Sequence, residues 1–152
     1  MGDLSIYLND HLATASAAVD LAGRQQGGVS AQTLARAREE LAAERALLLA
    51  AMGVLGVRPD RLKQAAGRLG ERVGRLKPNG GLLRRSPLSD VVEVEALALL
   101  GAYNLAALRT LRDLAEPRLA HLDLPSAVAR SEERAGMLEA DRAATAMRAL
   151  RG

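Results

Sequence analysis

Cysteine, tryptophan and phenylalanine are absent from the 152 residues, and two tyrosines supply the only aromatic carbocycles. Without cysteine there are no disulfides, no thiolate nucleophile and no zinc-finger framework. Without aromatics the core is left to Leu, Ala, Val and Met, whereas a sheet core draws on β-branched and aromatic side chains; the composition therefore predicts an all-α protein. The start, Met1-Gly2-Asp3-Leu4-Ser5, is acidic and lacks the basic-then-apolar plan of a signal peptide, and Ile6 stands where myristoylation of Gly2 needs Ser or Thr. The charge-free apolar run Ala46 to Val57 falls short of the roughly 20 residues of a span. A soluble, cytoplasmic protein with no membrane span is expected. Gly-x-Ser-x-Gly, Walker-type and dinucleotide-binding patterns are also missing, so the sequence nominates no catalytic residue and no cofactor.

Hydrophobic residues make up 49% and charged residues 26%, enough apolar material for one domain over residues 1–152. Apolar residues spaced at three and four predict a first helix from Asp3 to Arg24, with Leu4, Leu8, Leu12, Ala15, Val19 and Ala22 inward. Gln26-Gly27-Gly28 breaks it, and Ser30 caps a second helix to about Val54. The short connection makes an antiparallel hairpin. Arg58-Pro59-Asp60 opens a shorter helix carrying Leu62, Ala66, Leu69, Val73 and Leu76, which stops at Lys77-Pro78-Asn79-Gly80-Gly81. Ser86-Pro87 is a cap followed by proline at the first helical position. The helix it starts, to about Leu114, is apolar nearly all round and should be central. After Glu116-Pro117, Asp123 or Ser126 starts a last helix ending near Leu150, with Leu124, Val128, Ala135 and Leu138 inward and its charges outward. Two long hairpins joined by a connection with its own short helix make a four-helix bundle with one additional helix.

Few polar residues point into this core. Projected at about 100° per residue, His11 lies about 40° from the centre of the first helix's stripe and Glu44 about 50° from that of the second, with Glu40 further out. Counted from the hairpin turn, His11 and Glu44 stand at nearly the same height. On the apolar helix after Pro87, Glu93 and Asn104 share a face with Leu97, Leu100, Leu108 and Leu111. If that helix runs parallel to the second one, Asn104 rather than Glu93 comes near the level of His11 and Glu44. A buried carboxylate must be paired, and an imidazole opposite it is a common solution. His11, Glu40, Glu44, Glu93 and Asn104 are therefore a candidate buried polar cluster, either a structural network or the lining of a pocket. A mononuclear metal site from His11, Glu44 and Glu93 is chemically acceptable but has no motif behind it. His121, in the loop after Pro117, reads as a surface or packing residue.

Nineteen of the 21 basic residues are arginine, and only Lys63 and Lys77 are lysine; with abundant Ala and Gly this matches GC-rich coding. From Arg58 to Arg85 nine basic residues face two acidic ones, a local charge of +7 in a chain of +3. Arg61, Arg68, Arg72 and Arg75 are candidate contacts to an anionic polymer. Neither stacking aromatics nor a helix-turn-helix pattern accompanies them, which favours a solvated face over nucleic-acid binding.

The segments Tyr7-Leu8-Asn9-Asp10-His11-Leu12, Asp60-Arg61-Leu62-Lys63, Gly74-Arg75-Leu76-Lys77, Ser86-Pro87-Leu88 and Glu93-Val94-Glu95-Ala96-Leu97 resemble a family of small helical-bundle proteins from high-GC bacteria. That family has no assigned activity and so implies no catalytic residues. The bundle plan also resembles the ferritin-like superfamily, but Leu8 precedes His11 by three and Arg118 precedes His121 by three, so the Glu-x-x-His pairs of di-iron bundles are missing. The expected role is a non-enzymatic binding or interaction module, self-associating as a dimer or engaging a protein partner. A small-ligand or metal-binding bundle around His11, Glu44 and Glu93, and anionic-polymer binding through residues 58–85, are the alternatives.

Overall fold

The computed structural model describes residues 2–25, 27–60 and 86–151, and these are helical with no strand among them. Helix α1 spans Asp3–Arg24, α2 Ala31–Leu55, α3 Pro87–Asp113 and α4 Leu124–Leu150, with a 3₁₀ turn at Pro117–Leu119. The expected short helix after Pro59 falls outside the described residues.

The caps are the ones that short polar side chains favour. The Ser30 hydroxyl accepts from the Thr33 N–H, that of Ser86 from Ser89, and the Asp123 carboxylate from Ser126, each covering an amide that the first turn leaves unpaired. Helix α3 stops where Ala115 adopts a left-handed φ of 47°, two residues before Pro117.

Contacts between helices fix their directions. Arg45 donates to Ser16 and Arg38 to the Ala22 carbonyl, so α1 and α2 are antiparallel. Tyr7 reaches Thr110 and His11 stacks on Tyr103, so α3 runs against α1. Arg109 pairs with Glu132 and Arg142 with Glu95, which makes α4 antiparallel to α3. Arg36–Glu133 and the Ser30 N–H to Asp141 bond do the same for α4 and α2. The four helices form a square in which α2 and α3 are parallel and lie across a diagonal. The chain therefore leaves α2 and enters α3 at opposite ends of the bundle. The Asp60 amide is held by Asn9 near the start of α1, whereas Asp90 of α3 packs on Gly27 and Gly28 just past its end.

That last contact explains the glycine pair. Gly28 has φ +76°, and a Cβ there would sit 2.8 Å from the Asp90 carbonyl oxygen, so only glycine lets the hairpin turn close on α3.

The buried apolar side chains fall into two clusters. One gathers Leu8, Leu12, Leu48, Met52, Leu108 and Leu111 with Val128; the other gathers Leu21, Leu41, Leu97 and Leu138 with three alanines. Three expectations are corrected. Helix α3 is not buried all round: Val92 and Leu99 are exposed on its outer side, so its apolar residues serve two faces. On α4, Arg134 is fully buried while Ala135 is only partly so, placing a charge where an apolar stripe was expected. Leu4, too, is exposed, in the first turn of α1.

Candidate functional site

Between the two apolar clusters every helix contributes polar groups at one height: Ser16 from α1, Glu44 from α2, Gly101 and Asn104 from α3, Ser131 and Arg134 from α4. The centre of this layer is an ion pair. Arg134 is 0% exposed and Glu44 4%. The Arg134 Nη1 donates to Glu44 Oε1, and its Nη2 donates to Ser131 Oγ at 2.9 Å and to the Gly101 carbonyl at 3.3 Å. Burial pushes the Glu44 carboxyl up, and the Arg134 guanidinium, Ser131 and Asn104 oppose that rise by favouring the carboxylate. Arginine does not lose its proton in proteins, so Glu44 faces a permanent positive charge.

Gly101 makes room for this guanidinium: a Cβ there would lie 3.1 Å from Arg134 Nη2, which is held by its own hydrogen bonds. Ser16 extends the layer to α1, donating to the Leu12 carbonyl and accepting from Arg45 Nε at 2.9 Å. Asn104 is buried beside Glu44 and favours its carboxylate, although neither amide atom makes a well-formed hydrogen bond.

His11 lies elsewhere. Its ring stacks on Tyr103 with centroids 4.0 Å apart and is tilted against Tyr7 at 4.3 Å, so both tyrosines of the chain converge on one imidazole. Helix α1 has α2 on one flank and α3 on the other, and His11 turns toward α3. The neighbour inferred for it, Glu44, turns toward α4. Tyr7 in turn donates to Thr110 at 2.9 Å.

Burial lowers the His11 pKa from its ordinary 6.5, against the opposing influences of Asp10 and the Tyr103 backbone. A lowered folded-state pKa means that the unfolded chain binds the proton more tightly. The stabilisation from a neutral His11 is thus complete above about pH 6.5 and is lost progressively as the pH falls below it through the lowered folded-state pKa. Urea unfolding at pH 7.5 and at stepwise lower pH is expected to show this decline. His11→Phe, which keeps a ring and removes the titration, should flatten it, while exposed His121 serves as the control.

Glu40 is also apart from the polar layer. It sits on the α2–α4 flank between Arg36 and Arg130, each with its Nε 3.3 Å from a carboxylate oxygen. Glu93 is half-buried in the first half of α3. Because α3 parallels α2, Glu93 stands eleven residues, about 16 Å of helix, from the Asn104 level. His11, Glu44 and Glu93 therefore do not assemble the metal site considered from the sequence, and no group of three or more His, Cys, Asp or Glu suited to a metal occurs among the described residues. Arg61, Arg68, Arg72 and Arg75 lie outside the described residues.

Ser16, Gly101, Ser131, Arg134, Tyr103 and Asn9 were not anticipated. Arg134 is seven residues after Ala127 and four before Leu138, a spacing that puts it on the inward stripe of α4 despite its charge. Tyr103 adjoins Asn104 and is carried to the same height. Asn9 is buried and clamps the chain beyond α2, its Nδ2 donating to the Arg58 carbonyl at 3.1 Å and its Oδ1 accepting from the Asp60 N–H at 2.6 Å. No family model, curated protein or solved structure matches the chain.

Proposed function

We propose that this chain is a non-enzymatic helical interaction module that forms a homodimer through the outer face of α3. The observation that carries the reading is the row Leu88, Val92, Leu99 and Tyr103, spaced so that all four fall within about 60° of one another around the helix. All four are exposed, Leu99 by 71% and Tyr103 by 45%. Exposed apolar side chains gathered on one helix face mark an interaction site. By length and composition α3 would also suit a membrane span, yet 44% of its most apolar stretch is buried in the bundle. Its excess of apolar side chains therefore suits a helix that packs inward on α1 and α4 and outward on a partner.

The up-down-down-up order with one crossing connection is the arrangement of ferritin-like bundles, and we read the fold as ferritin-like in plan. Buried Glu44 is committed to Arg134, which argues for a structural core in place of a metal centre. The cytoplasm suits such a protein.

Light scattering across a concentration series tests the reading. The wild type is expected to give a dimer mass, and Leu99→Glu a monomer with unchanged helicity and unfolding midpoint. A wild type that stays monomeric at every concentration overturns it.

A further inference from the structure

We infer that one internal water molecule is a permanent member of the polar layer, bound between Glu44 and Asn104. Three buried polar atoms at this place have no hydrogen-bond partner: Glu44 Oε2, Asn104 Nδ2 and Asn104 Oδ1. Glu44 and Asn104 both line a small space of about 10 Å³ whose remaining walls include Ala15, Leu48 and Leu108. Leaving a buried donor or acceptor unmade costs about 1–3 kcal/mol per group, so their coincidence around one cavity calls for a shared partner.

Size and chemistry both select water. A volume of this order admits a single water and nothing larger. Glu44 is already neutralised by Arg134, so a cation would bring an uncompensated charge into a low-dielectric core. An anion would face the carboxylate. The site offers both a donor and acceptors, and water satisfies both kinds at once. It accepts from Asn104 Nδ2 and donates to Glu44 Oε2, joining α3 to α2 across the diagonal of the bundle.

A crystal structure of the wild type at a resolution that orders solvent reads this directly. The expected result is one full-occupancy water within hydrogen-bond distance of Glu44 Oε2 and the Asn104 amide. Oxygen-17 relaxation dispersion in solution is expected to count one long-lived water more in the wild type than in Asn104→Leu, whose apolar side chain removes the polar anchor on α3. The inference is overturned if the density shows the Asn104 amide bonded directly to the Glu44 carboxylate with no solvent between them. It is equally overturned if the cavity is dry in the crystal, or if the wild type and a folded Asn104→Leu hold the same number of long-lived waters. The wild-type measurement decides the matter even if the variant fails to fold.

Discussion

Glu44→Gln is expected to destabilise the fold by roughly 3–5 kcal/mol, because it leaves the Arg134 guanidinium buried with no counter-charge. The substitution conserves shape, so the loss reports the charge and not a cavity. Arg134 is wholly enclosed and cannot relax toward solvent, and its other partners, Ser131 and the Gly101 carbonyl, are neutral. For a chain of this size each kcal/mol moves the unfolding midpoint by about 2–4 °C, so thermal denaturation should register a fall of about 10 °C. Replacing both partners has the opposite logic. Glu44→Leu with Arg134→Met removes two desolvation costs and fills the space with apolar atoms, and such exchanges are often neutral or stabilising. The double variant is expected to recover most of the stability that the single variant loses. Additive losses in that cycle would mean that the two side chains do not act as a pair.

Leu97→Ala is expected to cost about 2–5 kcal/mol, whereas Leu99→Ala changes stability by no more than about 0.5 kcal/mol. The two residues are neighbours on α3 with opposite environments: Leu97 is fully buried in the cluster with Leu41 and Leu138, and Leu99 is the most exposed large apolar residue described. Removing Leu97 takes away packed methyl groups and opens a void between three helices; removing Leu99 returns solvent to a place it already occupies. Urea denaturation measured at low protein concentration, where association does not contribute, separates the two. A large loss from Leu99→Ala under those conditions would show that the outer face of α3 is covered within a single chain.

The helices were legible because their signals are local. Ser30, Ser86-Pro87 and Asp123 cap where side-chain chemistry requires, and the three-four spacing needs no knowledge of neighbours. The polar layer was legible in part, since Glu44 and Asn104 each violate the apolar stripe of their own helix. Arg134 violates its stripe too, but a charged residue near a run of charges looks like one more solvated group. Only Ser131 and Gly101, small residues that leave space for a guanidinium, distinguish it, and they belong to two helices. The His11 assignment went to the wrong flank for a related reason. A helical projection gives direction and height, while the choice between α2 and α3 as the facing partner depends on how the square closes. The aromatic scarcity was itself a clue: with two tyrosines in the chain, one at Tyr7 lay four residues from His11 on the same face.

The layer also decides where α4 can stop as it slides along its neighbours. Cores of Leu and Ala offer nearly equivalent packings one helical turn apart, and nothing in their chemistry prefers one rung of the ladder over the next. A one-turn displacement of α4 in one direction sets Leu138 against Glu44 and strands a carboxylate in the interior. In the other direction it carries Arg134 away from Gly101 and drives the guanidinium into Leu97. A single glycine, one carboxylate and one arginine thus supply the register that the rest of this interior leaves open.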